Sequence, residues 1–145
     1  MEAAFGAVGF VASIATLAGV ALQSGRLLHE IHKDFKETPK EVGEFGKHLA
    51  ILIGTLQSLK TTDVKAQTVA SSTLTETWTQ TKDNMYNDLE EFRKKVQSIH
   101  KALLQGRRVK STLQNFFNRP VLSEYQQRFT RSIGVLTLLA AEINA

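Results

Sequence analysis

A-A-F-G-A-V-G-F-V-A-S-I-A-T-L-A-G-V-A-L-Q-S-G, residues Ala3–Gly25, carries no charged side chain. As a helix, this run is long enough to cross a hydrocarbon core, which takes about 20 residues. Its apolar content is modest. Phe5, Val8, Phe10, Val11, Ile14, Leu17, Val20 and Leu22 are strongly hydrophobic, and the rest of Ala3–Leu22 is Ala, three Gly, Ser13 and Thr16. At roughly −0.3 to −0.6 kcal/mol per strong apolar residue, offset by the others, transfer into a bilayer is close to balanced. A helix that is apolar all round belongs in a protein core or in a membrane. Burial in a soluble bundle is the expected resting state here, because the segments that follow are amphipathic and need a partner.

A signal peptide fits poorly. Met1-Glu2 is acidic where a basic n-region is required, and the apolar run exceeds the usual 7–15 residues.

Working outward, helical periodicity continues along the chain. The first helix is expected over about Ala3–Lys36, with Leu17, Val20, Ser24, Leu28, Ile31 and Phe35 on one face. Thr38 is a natural N-cap, Pro39 suits the first helical position and Glu41 the acidic first turn of the second helix. That helix carries Val42, Phe45, Leu49, Leu52, Leu56 and Leu59 at spacings of 3 and 4, a stripe facing a core. A third helix is clearest over Ser72–Gln105, with Trp78, Met85, Leu89, Phe92, Val96, Ile99 and Leu103 in register. Its Ser/Thr-rich beginning, Thr68–Thr81, has low helix propensity and is expected to fray or be irregular. Gly106 stops it. A short helical segment, Arg107–Asn118, then leads through Arg119-Pro120 into a last helix bearing Leu122, Tyr125, Phe129, Ile133, Leu136, Leu139 and Ile143. No strand alternation and no hairpin dipeptide occurs. The expected fold is all-α, an antiparallel helical bundle of four long helices plus one short helix, in a single domain spanning 1–145. The pattern is still helical at Glu142-Ile143, so this domain is expected to be the N-terminal part of a longer protein.

The chain has no cysteine, which excludes disulfides, thiolate metal sites and a thiol nucleophile. No phosphate-binding glycine loop, H-E-x-x-H or Ser-centred elbow is present, so no enzyme, cofactor or catalytic residue is expected. His29 and His32 share a helix face but read as a solvated surface beside Glu30 and Lys33 rather than as a metal site. Glu90 and Glu91 are adjacent, point in different directions and read as surface residues. His48 and His100 read as isolated, among charged neighbours.

Charge is unevenly distributed. Residues 1–92 carry eight basic and twelve acidic side chains, whereas 93–131 carry ten basic and Glu124 alone. Anionic lipid is the partner this suggests: Arg93, Lys94, Lys95, Lys101, Arg107, Arg108, Lys110 and Arg119 form the candidate lipid-binding set. An ordinary solvated face is the plainer reading. Nucleic acid is not expected, since Tyr125 and Phe129 belong to the core stripe and cannot stack on bases. The small residues Gly6, Gly9, Ala12, Ser13, Thr16 and Gly19 also have two readings. They suit helix association in lipid, or close packing of a central helix among three others.

The opening F-G-A-V-G-F-V-A-S-I-A-T-L-A-G-V-A-L and the later D-F-K-E-T-P-K-E-V-G-E-F-G-K-H-L-A-I-L-I-G-T-L-Q-S-L resemble the N-terminal helices of the HeLo-like family, including its HELL domains, in fungal STAND-type receptors. The resemblance is best over residues 5–59, weaker over 89–143 and absent over 61–88. It implies a bundle similar to the four-helix domain of the necroptosis effector MLKL and to plant coiled-coil domains. It also implies a cell-death executioner that oligomerises and permeabilises membranes downstream of a nucleotide-binding or amyloid-signalling module. Phe5–Leu22 would be the inserting element, with Phe5, Val8, Phe10, Val11, Ile14, Leu17, Val20 and Leu22 entering lipid and Glu2 as polar tip. The domain would be cytoplasmic at rest and at the plasma membrane on activation. A non-lytic adaptor with its first helix permanently buried is the alternative.

Overall fold

The computed structural model describes residues 7–34, 40–60, 72–106 and 115–144, with side chains placed over 12–34, 40–59, 76–106 and 115–141. Four helices occupy these ranges: α1 (Ala7–Asp34), α2 (Lys40–Lys60), α3 (Ser72–Leu104) and α4 (Arg119–Asn144). Among the described residues there is no strand. The fold is an all-α helical bundle.

The expected stripes form the core. On α1 Leu17, Val20, Ser24, Leu28 and Ile31 are buried, joined by Ile14 and Ala21. Every expected stripe position of α2 and α3 is buried. On α4, Leu122, Tyr125, Phe129, Leu136 and Leu139 are buried, but Ser132 rather than Ile133 takes the inner position and Ile133 packs at the margin. Ser132 and Ile133 stand about 100° apart around the helix, so only one of them takes the centre of the inward stripe. Of the Ser/Thr-rich stretch expected to be irregular, residues 68–71 lie outside the described residues, and from Ser72 the chain is regular helix, a departure from that expectation. Trp78, buried in the core, anchors that end. Tertiary burial outweighs the few tenths of a kcal/mol by which Ser and Thr disfavour helix.

Two ends show local causes. Gly106 adopts φ +85, the left-handed conformation glycine reaches without a Cβ penalty, and its N–H donates to the Leu103 carbonyl at 3.1 Å. Asn118 caps α4: its Oδ1 accepts from the Val121 N–H at 3.0 Å. Phe35, Thr38 and Pro39, and residues 107–114 of the short helix expected over Arg107–Asn118, lie outside the described residues; of its remainder, Asn115 and Phe116 are helical and Phe117 is buried.

Side-chain contacts define the arrangement. Gly25 faces Ile53 and Gly43 faces His32, so α1 and α2 run antiparallel. Tyr125 meets Glu91 and Arg128 meets Asp88, so α3 and α4 do as well. By contrast, Glu30 pairs with His100 while Thr16 lies beside Asp83, which makes α1 and α3 parallel neighbours. Glu41 with Arg119 and His48 with Gln126 make α2 and α4 parallel. Consecutive helices therefore alternate in direction as expected, but α2 and α3 lie diagonally opposite. The eleven residues 61–71 join them, a length that reaches about 36 Å when extended. Phe92 of α3 sits on that diagonal, its ring 4.9 Å from Phe45, 5.0 Å from Tyr125 and 6.1 Å from Phe129.

Candidate functional site

The first helix occupies a corner of the bundle, packed chiefly on α2 and α3. It is not the central helix surrounded by three others that its sequence suggests. Ile14, Leu17 and Val20, expected to enter lipid, point into the core with 0–8 % exposure, whereas Leu22 is exposed. Glu2 and Phe5 lie outside the described residues, and the side chains of Val8, Phe10 and Val11 are not placed. The outward face carries Ala12, Thr16 and Gly19, all exposed. A Cβ on Gly19 would meet nothing within 4 Å. Close helix approach inside the bundle therefore does not require this glycine, which removes the simpler of the two readings of that position. The Thr16 hydroxyl turns back to donate to the Ala12 carbonyl at 3.0 Å, so its donor is satisfied within the helix. Among the described residues, no helix is long and apolar enough to cross a membrane.

Among the described residues, the basic stretch does not form one open patch. Arg93 grips Glu90 through Nε at 3.0 Å and Nη2 at 2.8 Å, and also reaches Gln97. That hydrogen-bonded pair holds the Glu90 carboxyl below its ordinary pKa. The Lys95 ammonium lies 5.6 Å from the ring centres of Phe116 and Tyr125. Arg119 lies 3.8 Å from Glu41. Lys94 and Lys101, seven residues apart, remain exposed on one face of α3. Arg107, Arg108 and Lys110 lie outside the described residues.

A polar clamp between α3 and α4 is the feature least visible in the sequence. The Tyr125 hydroxyl donates to Glu91 Oε1 at 2.8 Å, and Arg128 reaches Glu124 at 2.6 Å and both Asp88 and Glu91 at 3.5 Å. Desolvation first, then the Glu91 hydrogen bond and charge, raise the Tyr125 pKa well above its ordinary value, so the phenol stays protonated and donating. Glu90 and Glu91 do point in different directions, yet Glu91 ties two helices together.

His48 lies in the groove between α2 and α4, near Phe45 and beside Glu44 and Arg119. Its Nε2 is buried with no hydrogen-bond partner among the described residues. Burial lowers its pKa, because the imidazolium form loses hydration. The unfolded chain then binds this proton more readily than the folded one, so stability is complete above the ordinary pKa of about 6.5 and falls on acidification through the lowered value. His48→Gln, which cannot titrate, is expected to remove that part of the loss. Urea midpoints at pH 7.5 and 5 check this; equal acid losses in both proteins would contradict it.

A second groove runs between α1 and α2 and encloses about 540 Å³. Leu28, Val42 and Leu49 floor it, and Gly25, Gly43 and Gly46 deepen it. The spacing Gly43, Gly46, Ala50 marks one face of α2 and was the only signal of it in the sequence. His29 and His32 stand at this groove, and His100 faces Glu30 at 3.7 Å rather than standing isolated. Among the described residues, no group of three or more His, Asp or Glu side chains comes together as metal ligands do.

Comparison with known proteins gives one family. Residues 6–102, 97 of the 145, match the family described as pigment biosynthesis cluster protein PigL N-terminal. The match spans α1, α2 and nearly all of α3, and α4 lies beyond it. No curated protein and no solved structure matches the chain. The matching family is not the HeLo-like one that the first two helices resemble. With two thirds of its length matched, the chain belongs to the family of the PigL N-terminal domain.

Proposed function

We propose that this domain is a non-enzymatic, membrane-targeting module that permeabilises bilayers in cell death, with the first helix as the inserting element. The observation that carries the reading is the outward face of α1. It is uncharged up to Arg26, carries only small exposed residues from Ala12 to Gly19, and includes a glycine that no bundle contact requires. Such a surface permits close helix association once in lipid. The resemblance of the first two helices to HeLo-like domains supports the same reading, in which the domain is part of a fungal immune-type receptor. On it, the domain rests in the cytoplasm and oligomerises at the plasma membrane when a nucleotide-binding or amyloid-signalling module triggers it. Lys94 and Lys101 on the outer face of α3, with Arg107, Arg108 and Lys110 beyond, supply attraction to anionic lipid.

Energetics set the condition for release. Exposing Ile14, Leu17, Val20, Leu28 and Ile31 to water would cost roughly 8–15 kcal/mol at about 1.5–3 kcal/mol each. The whole domain is worth about 5–15 kcal/mol. Helix α1 therefore leaves the bundle only where a bilayer receives the same apolar surface. The burial of these five residues equally favours the second reading, an adaptor whose first helix never leaves.

Expression as a fluorescent fusion in yeast separates the two. Loss of viability with signal concentrated at the plasma membrane supports the executioner. Healthy cells with diffuse signal, together with purified protein that releases no dye from anionic vesicles, would overturn it. Deleting residues 1–22 is not a usable control, since it removes Ile14, Leu17, Val20 and Ala21 from the core.

A further inference from the structure

We propose that the groove between α1 and α2 binds a single-chain anionic amphiphile, an acyl chain lying along the groove with its carboxylate or phosphate on the rim. This site is independent of the membrane reading above. The floor is closed by Leu28, Val42 and Leu49, all buried core residues that offer no polar atom to a ligand. The depth comes from missing side chains. A Cβ on Gly46 would meet nothing within 4 Å, while those on Gly25 and Gly43 would meet only one atom each, at 3.8 Å. Three glycines within two packed helices weaken both, by about 1 kcal/mol per site relative to alanine. Alanine would fit sterically at each. The helices thus forgo stability at positions where the only structural gain is open volume.

The rim supplies the sign of the ligand. Arg26 and Lys47 stand on it with His29 and His32. The contacts of Gly25 with Ile53 and of Gly43 with His32 set a register that brings Lys47 level with His29, one turn from Arg26. Glu30, the one carboxylate in the lining, is drawn to His100 at 3.7 Å. With Arg26 and Lys47 against this single carboxylate, the net charge at the mouth is positive. At about 540 Å³ the groove falls within the range of small-molecule sites, and its ends at Leu22 and His32 lie about 15 Å apart along α1. A slender apolar chain with one anionic end matches an apolar trough with a cationic rim.

Dansyl-undecanoate, titrated below its micelle concentration against the full chain, tests this. The expected result is saturable one-to-one binding with a blue-shifted emission, displaced by dodecanoate at least roughly tenfold better than by dodecanol, since only the acid reaches Arg26 and Lys47 as a charged acceptor. Gly46→Leu fills the trough and is expected to weaken binding roughly tenfold or more, while its melting temperature holds or rises, because leucine is the better helix former. Ala50→Trp, at an exposed lining position, blocks the same groove should the first variant misfold. Arg26→Gln with Lys47→Gln is expected to abolish the preference for the acid. Unchanged binding in both groove-filling variants, or equal displacement by the alcohol, would overturn the proposal. So would a chain that sediments as a dimer without probe and as a monomer once Gly46 is replaced, because a second copy would then own the groove.

Discussion

Replacing Ala12 by glutamate is expected to abolish dye release from anionic vesicles, with a loss of about a hundredfold, and to leave the folded domain intact. Ala12 is exposed on α1, so a carboxylate placed there faces water. The soluble state therefore loses at most a few tenths of a kcal/mol. In the inserted state the same residue sits near the middle of Phe5–Leu22, where an ionised side chain costs about 2.5–3.5 kcal/mol. Since each 1.4 kcal/mol is a factor of ten, insertion falls by about two orders of magnitude. A parallel charge at Leu17 would be uninformative. Leu17 is 1 % exposed, so Leu17→Lys buries an ammonium in the core and unfolds the protein before any membrane is met. An Ala12→Glu protein with native circular dichroism and undiminished leakage would remove α1 from the mechanism.

Phe92→Ala is expected to be the most damaging single truncation to alanine in the core. The ring is fully buried and touches aromatic rings of α2 and α4, and Phe116 at 6.3 Å just before α4. Truncation leaves a cavity that four rings cannot close without backbone movement. The expected cost is about 3–5 kcal/mol, a fall of roughly 10–20 °C in melting temperature. Leu104→Ala, at a residue 65 % exposed on the same helix, is expected to stay within about 0.5 kcal/mol of the parent. Equal melting temperatures for Phe92→Ala and the parent would mean that the diagonal packing of α2 on α3 is not what holds the bundle together.

The helices and their inward stripes were legible because the spacings of 3 and 4 are intrinsic to the helix and need no knowledge of neighbours. Gly106 was legible for the same local reason. The position of α1 was not. Ala, Gly and Thr are tolerated equally in a core and on a surface, so an uncharged helix does not announce which side faces water, and α1 turned out to be a corner helix. The basic stretch was read as a sum of charges. The pairings Glu90–Arg93 and Glu124–Arg128 were available from i, i+3 and i, i+4 spacing, and taking them into account would have reduced the expected patch. The contact of Arg128 with Asp88, and that of Tyr125 with Glu91, depend on the register between α3 and α4, which no local pattern specifies. The α1–α2 groove is of this second kind, an absence of side chains that has meaning only once two helices are side by side.

The central claim is that the outward face of α1 enters lipid, and the chain offers a clean way to see it. It contains no cysteine, so Gly19→Cys creates a unique thiol on an exposed position where a side chain meets nothing within 4 Å. An environment-sensitive fluorophore on that thiol reports water in the resting bundle. On addition of vesicles rich in anionic lipid, the account predicts a blue shift and quenching by lipids carrying quenchers deep in their acyl chains. An unshifted spectrum on membrane-bound protein, or quenching only by headgroup-labelled lipid, would contradict it.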